Sequence, residues 1–129
     1  MLNQEHNNEG FEGLGIKPAL LERITEMGFV EPTPIQFKSI PIATSGEDVV
    51  GIAQTGSGKT LAFSIPMIQA VVSMKKMGLI LLPTRELAVQ VEETLKKIAG
   101  NHGLRTALLI GGVGAGFQRK QLKDKPHIV

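Results

Sequence analysis

Apolar residues recur at helical spacing in four parts of the chain, and this periodicity predicts four helices. They are expected to begin near Pro18, Pro34, Lys59 and Thr84. Gly28 and Gly100 stand just beyond the first and fourth patterns, where a left-handed residue commonly ends a helix. Because proline lacks the N–H of the helical ladder, Pro41 is expected to shorten or kink the second helix. Pro66 is expected to interrupt the third helix, which runs to about Met74.

Short apolar runs alternate with these helices and predict an open parallel sheet. The first run, residues 49–52, is continuous enough in apolar character to be buried on both faces. Later runs occupy residues 78–82, about 106–110 and 126–129. Ligands of such sheets bind beyond the carboxyl ends of the strands. Three loops should therefore share one functional rim, at residues 53–60, 83–86 and 111–112.

The loop after the first predicted strand has the pattern of a phosphate-binding loop. It reads Ala53, Gln54, Thr55, Gly56, Ser57, Gly58, Lys59 and Thr60. Gly56 and Gly58 allow backbone N–H groups to curl around a phosphate at the positive end of the next helix. Lys59 would reach the outer phosphates and the Thr60 hydroxyl would ligate Mg²⁺, so both are candidate catalytic residues. Ala53 stands where the general pattern has glycine, and a simple glycine-rich turn is the alternative.

The composition is that of one globular domain at most, with 129 residues of which 42% are hydrophobic. The chain has no cysteine, which excludes disulfides and thiolate metal sites. Its three histidines lack metal-ligand spacing, so no structural metal is expected. A net charge of +2 is too small an excess to indicate nucleic acid binding unaided. No apolar stretch or leader pattern indicates a membrane partner, so a cytoplasmic location is expected.

Four short motifs stand in order along the chain, in residues 28–36, 53–60, 83–88 and 111–112 with Gln118. The first reads Gly-Phe-Val-Glu-Pro-Thr-Pro-Ile-Gln, the second Ala-Gln-Thr-Gly-Ser-Gly-Lys-Thr, the third Pro-Thr-Arg-Glu-Leu-Ala, and the last begins with Gly-Gly. They resemble the Q motif, the phosphate loop, motif Ia and the GG element of DEAD-box RNA helicases. Phe11 lies where that family has an isolated upstream aromatic residue, and Ala53 agrees with the family's own form of the loop.

This resemblance implies an α/β fold with a three-layer open parallel sheet, the RecA-like fold of P-loop NTPases, present as an incomplete domain. Residues 11–129 would form a truncated N-terminal RecA-like helicase domain. Residues 1–10 are polar and have little to bury, so they are predicted to be a flexible N-terminal arm. The chain lacks the family's Asp-Glu-Ala-Asp sequence, which holds Mg²⁺ and positions water, and it lacks the second RecA-like domain. It is therefore expected to be a piece of a longer protein.

The resemblance also implies a site for ATP or ADP with Mg²⁺. In the family, the glutamine matching Gln36 contacts the adenine edge, and a side-chain amide pairs with adenine N6 and N7, whereas guanine offers two acceptors there. Phe11 would stack on the base, and the carbonyl of Glu31 would accept from the amino group of the base. Thr33 would tie this segment to the phosphate loop. The alternatives are a buried Phe11 that anchors the arm and a Gln36 on the helix surface.

For RNA, the resemblance implies backbone contacts from two of the predicted loops. The residues that would hold the sugar-phosphate backbone are Pro83, Thr84, Arg85, Gly111 and Gly112. Arginine supplies a fork of donors and glycine lets main-chain N–H groups approach, so such contacts are independent of RNA sequence. For Arg85 the alternative is a surface charge paired with a nearby carboxylate.

The expected function is the ATP-binding portion of an ATP-dependent RNA helicase, which couples ATP binding and hydrolysis to RNA duplex unwinding or remodelling. The chain itself is expected to bind adenine nucleotide without hydrolysing it, because the Asp-Glu-Ala-Asp element and the second domain are absent. Two other functions stay open. A P-loop small-molecule kinase would be indifferent to the base, and a non-catalytic interaction module would bind no adenine nucleotide.

Overall fold

The computed structural model describes residues 10–100 and 102–129, and helices make up most of its regular structure. The helices are α1 (Pro18–Glu26), α2 (Pro34–Thr44), α3 (Lys59–Met74), α4 (Arg85–Ala99) and α5 (Ala115–Lys123). The first four confirm the helices that apolar spacing predicted. α5 was not predicted by that spacing, because it contains no buried residue and therefore no apolar stripe facing the core. Residues 1–9 of the predicted arm lie outside the described residues.

Local signals set the ends of the helices. Gly28 follows α1 with a φ of +89°, a left-handed conformation that glycine adopts without a steric penalty. Its N–H donates to the carbonyl of Thr25 at 2.9 Å and so closes the last turn. α4 begins after Thr84, whose hydroxyl accepts from the N–H of Leu87 at 3.1 Å. The loops next to these helix ends therefore have defined starting points.

The two internal prolines do not break their helices, so the predicted shortening of α2 and interruption of α3 are wrong. α2 continues beyond Pro41 to Thr44, and α3 runs through Pro66 to Met74. Near the end of α2, Thr44 Oγ1 donates to the carbonyl of Ile40 at 2.8 Å. Pro66 is buried in the core. Each proline removes one backbone hydrogen bond, and tertiary packing of the helix outweighs that loss.

Parallel pairing joins three extended segments through isolated bridges. Ile128 pairs with Gly78 on one side and with Thr106 on the other. The N–H of Gly78 donates to the carbonyl of His127 at 2.8 Å, and the N–H of Ala107 donates to the carbonyl of Ile128 at 2.9 Å. The parallel direction agrees with the predicted alternation. These contacts do not form a continuous ladder, so the complete open sheet stays a prediction.

Residues 49–52 are not buried on both faces, and that prediction is wrong. Val50 is 91% exposed and Ile52 is 92% exposed. In the part of the chain that the structure describes, no backbone–backbone hydrogen bond joins residues 48–53 to another segment. An apolar run is buried in a sheet only where neighbouring strands and helices cover it. The Ile35 side chain lies against Gly51, but the described residues leave Val50 and Ile52 uncovered.

The hydrophobic core lies between the helices and the paired segments. α3 packs against α2 and α4, and α1 packs against α4. Isoleucines from four helices and from the central paired segment are fully buried: Ile24, Ile40, Ile65, Ile98 and Ile128. Among the described residues, no helix combines the length and the apolar character needed to cross a membrane. Because α3 and α4 share one core, the loops that precede them are held on one framework.

Candidate nucleotide and RNA site

The phosphate loop passes through two left-handed glycines before α3 begins. Gly56 has a φ of +81° and Gly58 a φ of +87°, conformations that a residue with a β-carbon rarely adopts. The N–H of Ser57 donates to the carbonyl of Gln54 at 3.1 Å and closes the turn between them. The backbone therefore requires glycine at both positions that the sequence pattern singled out.

The N-terminus of α3 is arranged to receive an anion. No side chain caps it, so its first N–H groups face the loop without an intrahelical partner. Lys59 Nζ donates to the carbonyl of Ala53 at 2.5 Å, which places the ammonium group across the loop. Ser57 Oγ is buried and has no hydrogen-bond partner among the described residues, and Thr60 lies half-buried in the first turn of α3. These donors fit the phosphates of a nucleotide, and the Thr60 hydroxyl fits a magnesium ligand.

Gln36 joins the Q segment, residues 28–36, to the phosphate loop. Its side chain is buried, with 2% of the residue exposed, so the alternative of a surface Gln36 is wrong. The amide oxygen accepts from the N–H of Thr33 at 2.9 Å, and the amide nitrogen donates to the carbonyl of Gly58 at 3.1 Å. Because Lys59 follows Gly58 directly, the proposed base-reading amide and phosphate-binding ammonium belong to neighbouring parts of one site.

Thr33 approaches the loop by packing and not through a hydrogen bond of its hydroxyl. Its Oγ1 is buried and faces the N–H of Gln36 in the capping box of α2, and it makes no hydrogen bond to the phosphate loop. A β-carbon placed on Gly58 would lie 3.1 Å from this oxygen and would overlap the amide nitrogen of Gln36. The bare backbone of Gly58 therefore permits the close approach. A direct role for Thr33 in tying the two segments together stays a prediction.

Phe11 lies in the core, where 3% of the residue is exposed within the main hydrophobic cluster. Gln69 holds the following segment, because its amide oxygen accepts from the N–H of Lys17 at 2.6 Å and its amide nitrogen donates to the carbonyl of Gly15 at 3.1 Å. This position agrees with the anchoring alternative. Stacking of Phe11 on a base stays a prediction and requires the segment to move. The carbonyl contact of Glu31 also stays a prediction, and Glu31 is exposed.

The two predicted RNA loops meet at Arg85. A β-carbon on Gly112 would lie 2.9 Å from Arg85 Nη1, and one on Gly111 would lie 3.3 Å from Nη2, so the guanidinium packs directly on this glycine pair. Arg85 is exposed and forms no ion pair with a described carboxylate, so the alternative of a paired surface charge is not observed. Pro83 is exposed beside it, while the Thr84 hydroxyl caps α4.

Two glutamines of α5 hold the segment that leads into the glycine pair. Gln118 Nε2 donates to the carbonyls of Ile110 at 2.6 Å and Val113 at 3.1 Å. Gln121 Oε1 accepts from the N–H of Leu108 at 2.9 Å. Sequence reasoning assigned Gln118 to the GG element without a contact, and it missed Gln121. The signal that could have found both is their spacing, which puts the two amides on one face of a helix.

The motif-bearing part of the chain matches a known protein family. A sequence model described as DEAD/DEAH box helicase matches residues 33–129. The chain belongs to the DEAD/DEAH box helicase family. The matched residues contain the phosphate loop, Arg85 and the glycine pair, whereas Phe11 and Glu31 precede them.

Similar curated proteins carry the name ATP-dependent rRNA helicase RRP3. The chain is 46% identical to the protein of Debaryomyces hansenii over 94% of its own length and 26% of that protein. It is 42% identical to the protein of Yarrowia lipolytica over 97% of its own length and 26% of that protein. The chain thus spans about a quarter of the length of these relatives.

Solved structures of the same family share the fold. A DEAD box protein from the hyperthermophile Methanococcus jannaschii matches with a TM-score of 0.86 and 39% identity, over 93% of this chain and 34% of that one. The RNA helicase Prp28 from Chaetomium thermophilum, bound to ADP, matches with a TM-score of 0.79 and 37% identity, over 93% of this chain and 31% of that one. The helicase-family chain described here therefore has the RecA-like fold of these proteins.

Proposed function

We propose that the chain binds adenine nucleotide and RNA as part of an ATP-dependent RNA helicase, which couples ATP binding and hydrolysis to RNA duplex unwinding or remodelling. The observation that carries this proposal is the Gln36 amide, which bridges Thr33 and Gly58 beside Lys59. The arrangement sets a group able to read a base next to a group able to bind phosphate. The similar Prp28 protein is bound to ADP in its crystal structure, which supports the same class of ligand.

Each group of the phosphate loop has its own role in this proposal. Lys59 exchanges its contact with the Ala53 carbonyl for the outer phosphates, while N–H groups of residues 54–60 surround the inner ones. The Thr60 hydroxyl would ligate Mg²⁺, and the bound ion would neutralise phosphate charge. Hydrolysis in P-loop enzymes also needs a carboxylate that holds magnesium and positions water. The chain contains no Asp-Glu-Ala-Asp sequence, so we expect it to bind nucleotide without turnover.

The finer architecture belongs to the same proposal. In the whole protein, residues 49–52 form one strand of a three-layer open parallel sheet. The parallel pairing of Ile128 with Gly78 and with Thr106 supports that arrangement. Residues 11–129 are then the N-terminal part of the first RecA-like domain, and a second RecA-like domain is its partner. A cytoplasmic location completes the proposal.

Gln36 keeps the hydrogen-bonding capacity that adenine recognition needs. A side-chain amide has two N–H donors and two acceptor lone pairs. The contacts with Gly58 and Thr33 use one of each, so one donor and one acceptor remain. Adenine presents an acceptor at N7 and a donor at N6, which pair with an amide, whereas guanine presents acceptors at both positions. The remaining groups of Gln36 therefore complement adenine and not guanine, and because 2% of the residue is exposed, a base reaches them only when the cover over the amide opens.

Replacing Gln36 by alanine is expected to remove a preference for ADP over GDP. A bidentate amide contact discriminates by about 1–3 kcal/mol, which is roughly 5- to 150-fold in the dissociation constant. Titration of fluorescent ADP and GDP against both proteins measures this preference. The matched control is Gln90→Ala, which removes an exposed amide on α4 and should leave the preference unchanged.

Comparison of ADP with GDP also distinguishes two roles of Gln36, recognition of the base and support of the phosphate loop. If Gln36 only held the loop, the alanine variant would weaken ADP and GDP by the same factor. Equal binding of ADP and GDP by the unchanged chain would contradict the proposal and favour a P-loop kinase. Failure of both nucleotides to bind would favour a non-catalytic interaction module.

Replacing Arg85 by alanine is expected to weaken RNA binding to the same extent for different sequences. The guanidinium lies on the backbone of Gly111 and Gly112, where it can contact phosphate but has no base-specific partner. Loss of one phosphate contact lowers the slope of log affinity against log salt by about 1. Poly-uridine and poly-adenosine titrations at several salt concentrations measure both effects, with exposed Arg119→Ala as the control. An unchanged salt slope for Arg85→Ala would exclude it from the RNA site.

A further inference from the structure

A basic groove lies at the amino ends of the paired segments, opposite the loops assigned to RNA. Its volume is about 340 Å³ larger than that of the hollow between the paired segments and α4, at ≈ 690 Å³ against ≈ 350 Å³. The cationic or titratable side chains that line it are Lys75, Lys76, Lys125, His102 and His127. Because the paired segments are parallel, their amino ends share one edge, and residues 83–86 and 111–112 follow the other ends. A ligand in the basic groove would therefore leave both RNA loops free.

The lining of the basic groove is positive without a compensating carboxylate. None of the described residues that line it is Asp or Glu, and the exposed Asp124 beside Lys125 is outside the lining. His127 Nδ1 accepts from the N–H of Arg105 at 2.9 Å, so the neutral ring carries its proton on Nε2 and is a donor there. The lysines of the groove are therefore available to pair with an anionic partner that approaches from solvent.

Two of the three lysines have an unusual backbone. Lys75 has a φ of +52° and Lys125 a φ of +53°, and they are the non-glycine residues with positive φ in the described part of the chain. Arg105 holds the second of them, because its Nε and Nη2 donate to the Lys125 carbonyl at 3.2 Å and 2.9 Å. Glycine is the residue that adopts this conformation without steric cost. Lys75 ends α3 and Lys125 follows the residue that ends α5, so both left-handed residues stand where helices commonly end, and both bring a charge to the same groove.

The floor of the basic groove is apolar and exposed. Val72 is 60% exposed, Met77 62% and Leu122 42%, and all three line the groove. None of the described residues that line it is aromatic, so they provide no platform on which a nucleobase could stack. An RNA backbone would pair with the lysines but leave the apolar floor in contact with water. A polypeptide segment that carries both carboxylates and apolar side chains would pair with the lysines and also cover the apolar floor.

We propose that the basic groove binds an acidic segment of another polypeptide, in which Asp or Glu side chains alternate with aliphatic ones. The carboxylates pair with Lys75, Lys76 and Lys125, and the aliphatic side chains cover Val72, Met77 and Leu122. The segment adds no contact to the nucleotide or RNA loops. It gives the chain a surface by which a partner can hold it while the opposite edge carries out the proposed function.

The test uses a fluorescein-labelled peptide of about 12 residues in which Glu and Leu alternate, so that in an extended conformation they lie on opposite faces. Fluorescence anisotropy is expected to show binding to the unchanged chain that weakens as salt is raised. In the double variant Lys75→Gly with Lys125→Gly, the dissociation constant should rise by about tenfold or more, because two charge pairs are lost. A peptide with Ser in place of Leu should also bind more weakly.

The double glycine variant distinguishes binding from structural roles. Glycine relieves the left-handed backbone, so the melting temperature should stay unchanged or rise while peptide binding falls. Lys76→Gln alters neither left-handed residue and should still weaken the peptide several-fold. The control, Lys38→Ala with Lys120→Ala, removes two exposed lysines outside the groove and should change nothing. Unchanged peptide binding in Lys76→Gln and in the double glycine variant would overturn the proposal. It would also be overturned if these variants lost poly-uridine binding while their peptide binding stayed the same.

Discussion

The Gly58→Ala variant is expected to lose about 2–5 kcal/mol of unfolding free energy and its nucleotide binding. A residue with a β-carbon pays roughly 1–2 kcal/mol for the left-handed backbone of this position, where φ is +87°. The new methyl group would also overlap the Gln36 amide, and overpacking of this kind costs roughly 1–3 kcal/mol. Urea unfolding followed by circular dichroism measures the stability change, and ADP titration measures binding.

Two other glycines provide matched controls for this variant. Gly56 has a φ of +81° but nothing within 4 Å of an added β-carbon, so Gly56→Ala should show the backbone cost of roughly 1–2 kcal/mol alone. Gly116 lies inside α5 with open space around it, and Gly116→Ala should stabilise the chain by roughly 0.5–1 kcal/mol. If Gly58→Ala and Gly56→Ala lost equal stability, the close contact between Gln36 and the loop would be excluded.

The parts of the fold that the sequence predicted correctly depend on neighbouring residues. α1 ends beside Gly28 and α4 begins after Thr84, and in each case the deciding hydrogen bond spans three residues. The left-handed turn at Gly56 is of the same kind. Such features are predictable because the residue type alone determines which backbone conformations and which caps are favourable.

The wrong predictions concern features that depend on distant residues. The prolines at 41 and 66 were expected to disturb their helices, but burial of the helix around Pro66 compensates for the missing N–H. The apolar run at 49–52 was expected to be buried, yet whether a run is covered depends on which segments pack on it. Sequence periodicity contains no information about that cover, so it overestimated the burial of Val50 and Ile52.

The candidate site was predicted in residue types but not in contacts. Gln36 and Gly58 are far apart in sequence, and the hydrogen bond between their side chain and carbonyl spans 22 positions. The position of the Arg85 guanidinium on the glycine pair is likewise a long-range contact. Phe11 illustrates the reverse case, because the same aromatic residue suits a base and a core, and only the packing shows that it lies in the core.

Replacing Lys59 by alanine is expected to weaken ADP and GDP by the same factor. Lys59 Nζ donates to the Ala53 carbonyl across the phosphate loop, where it can reach phosphate but is not placed to read the base. A hydrogen bond to a charged group contributes about 1.5–3 kcal/mol, which corresponds to roughly 10- to 150-fold in each dissociation constant. Fluorescent nucleotide titration with both bases measures the two factors.

The equality of the two factors is what distinguishes Lys59 from Gln36. Lys38→Ala, which removes an exposed ammonium group from α2, is the control for net charge and should change neither affinity. If Lys59→Ala weakened ADP much more than GDP, the ammonium would contribute to base recognition, and the separation of the site into a phosphate part and a base part would be wrong. If neither affinity changed, the nucleotide would bind outside this loop. Only an equal loss for both nucleotides agrees with an ammonium group that leaves the Ala53 carbonyl to bind phosphate.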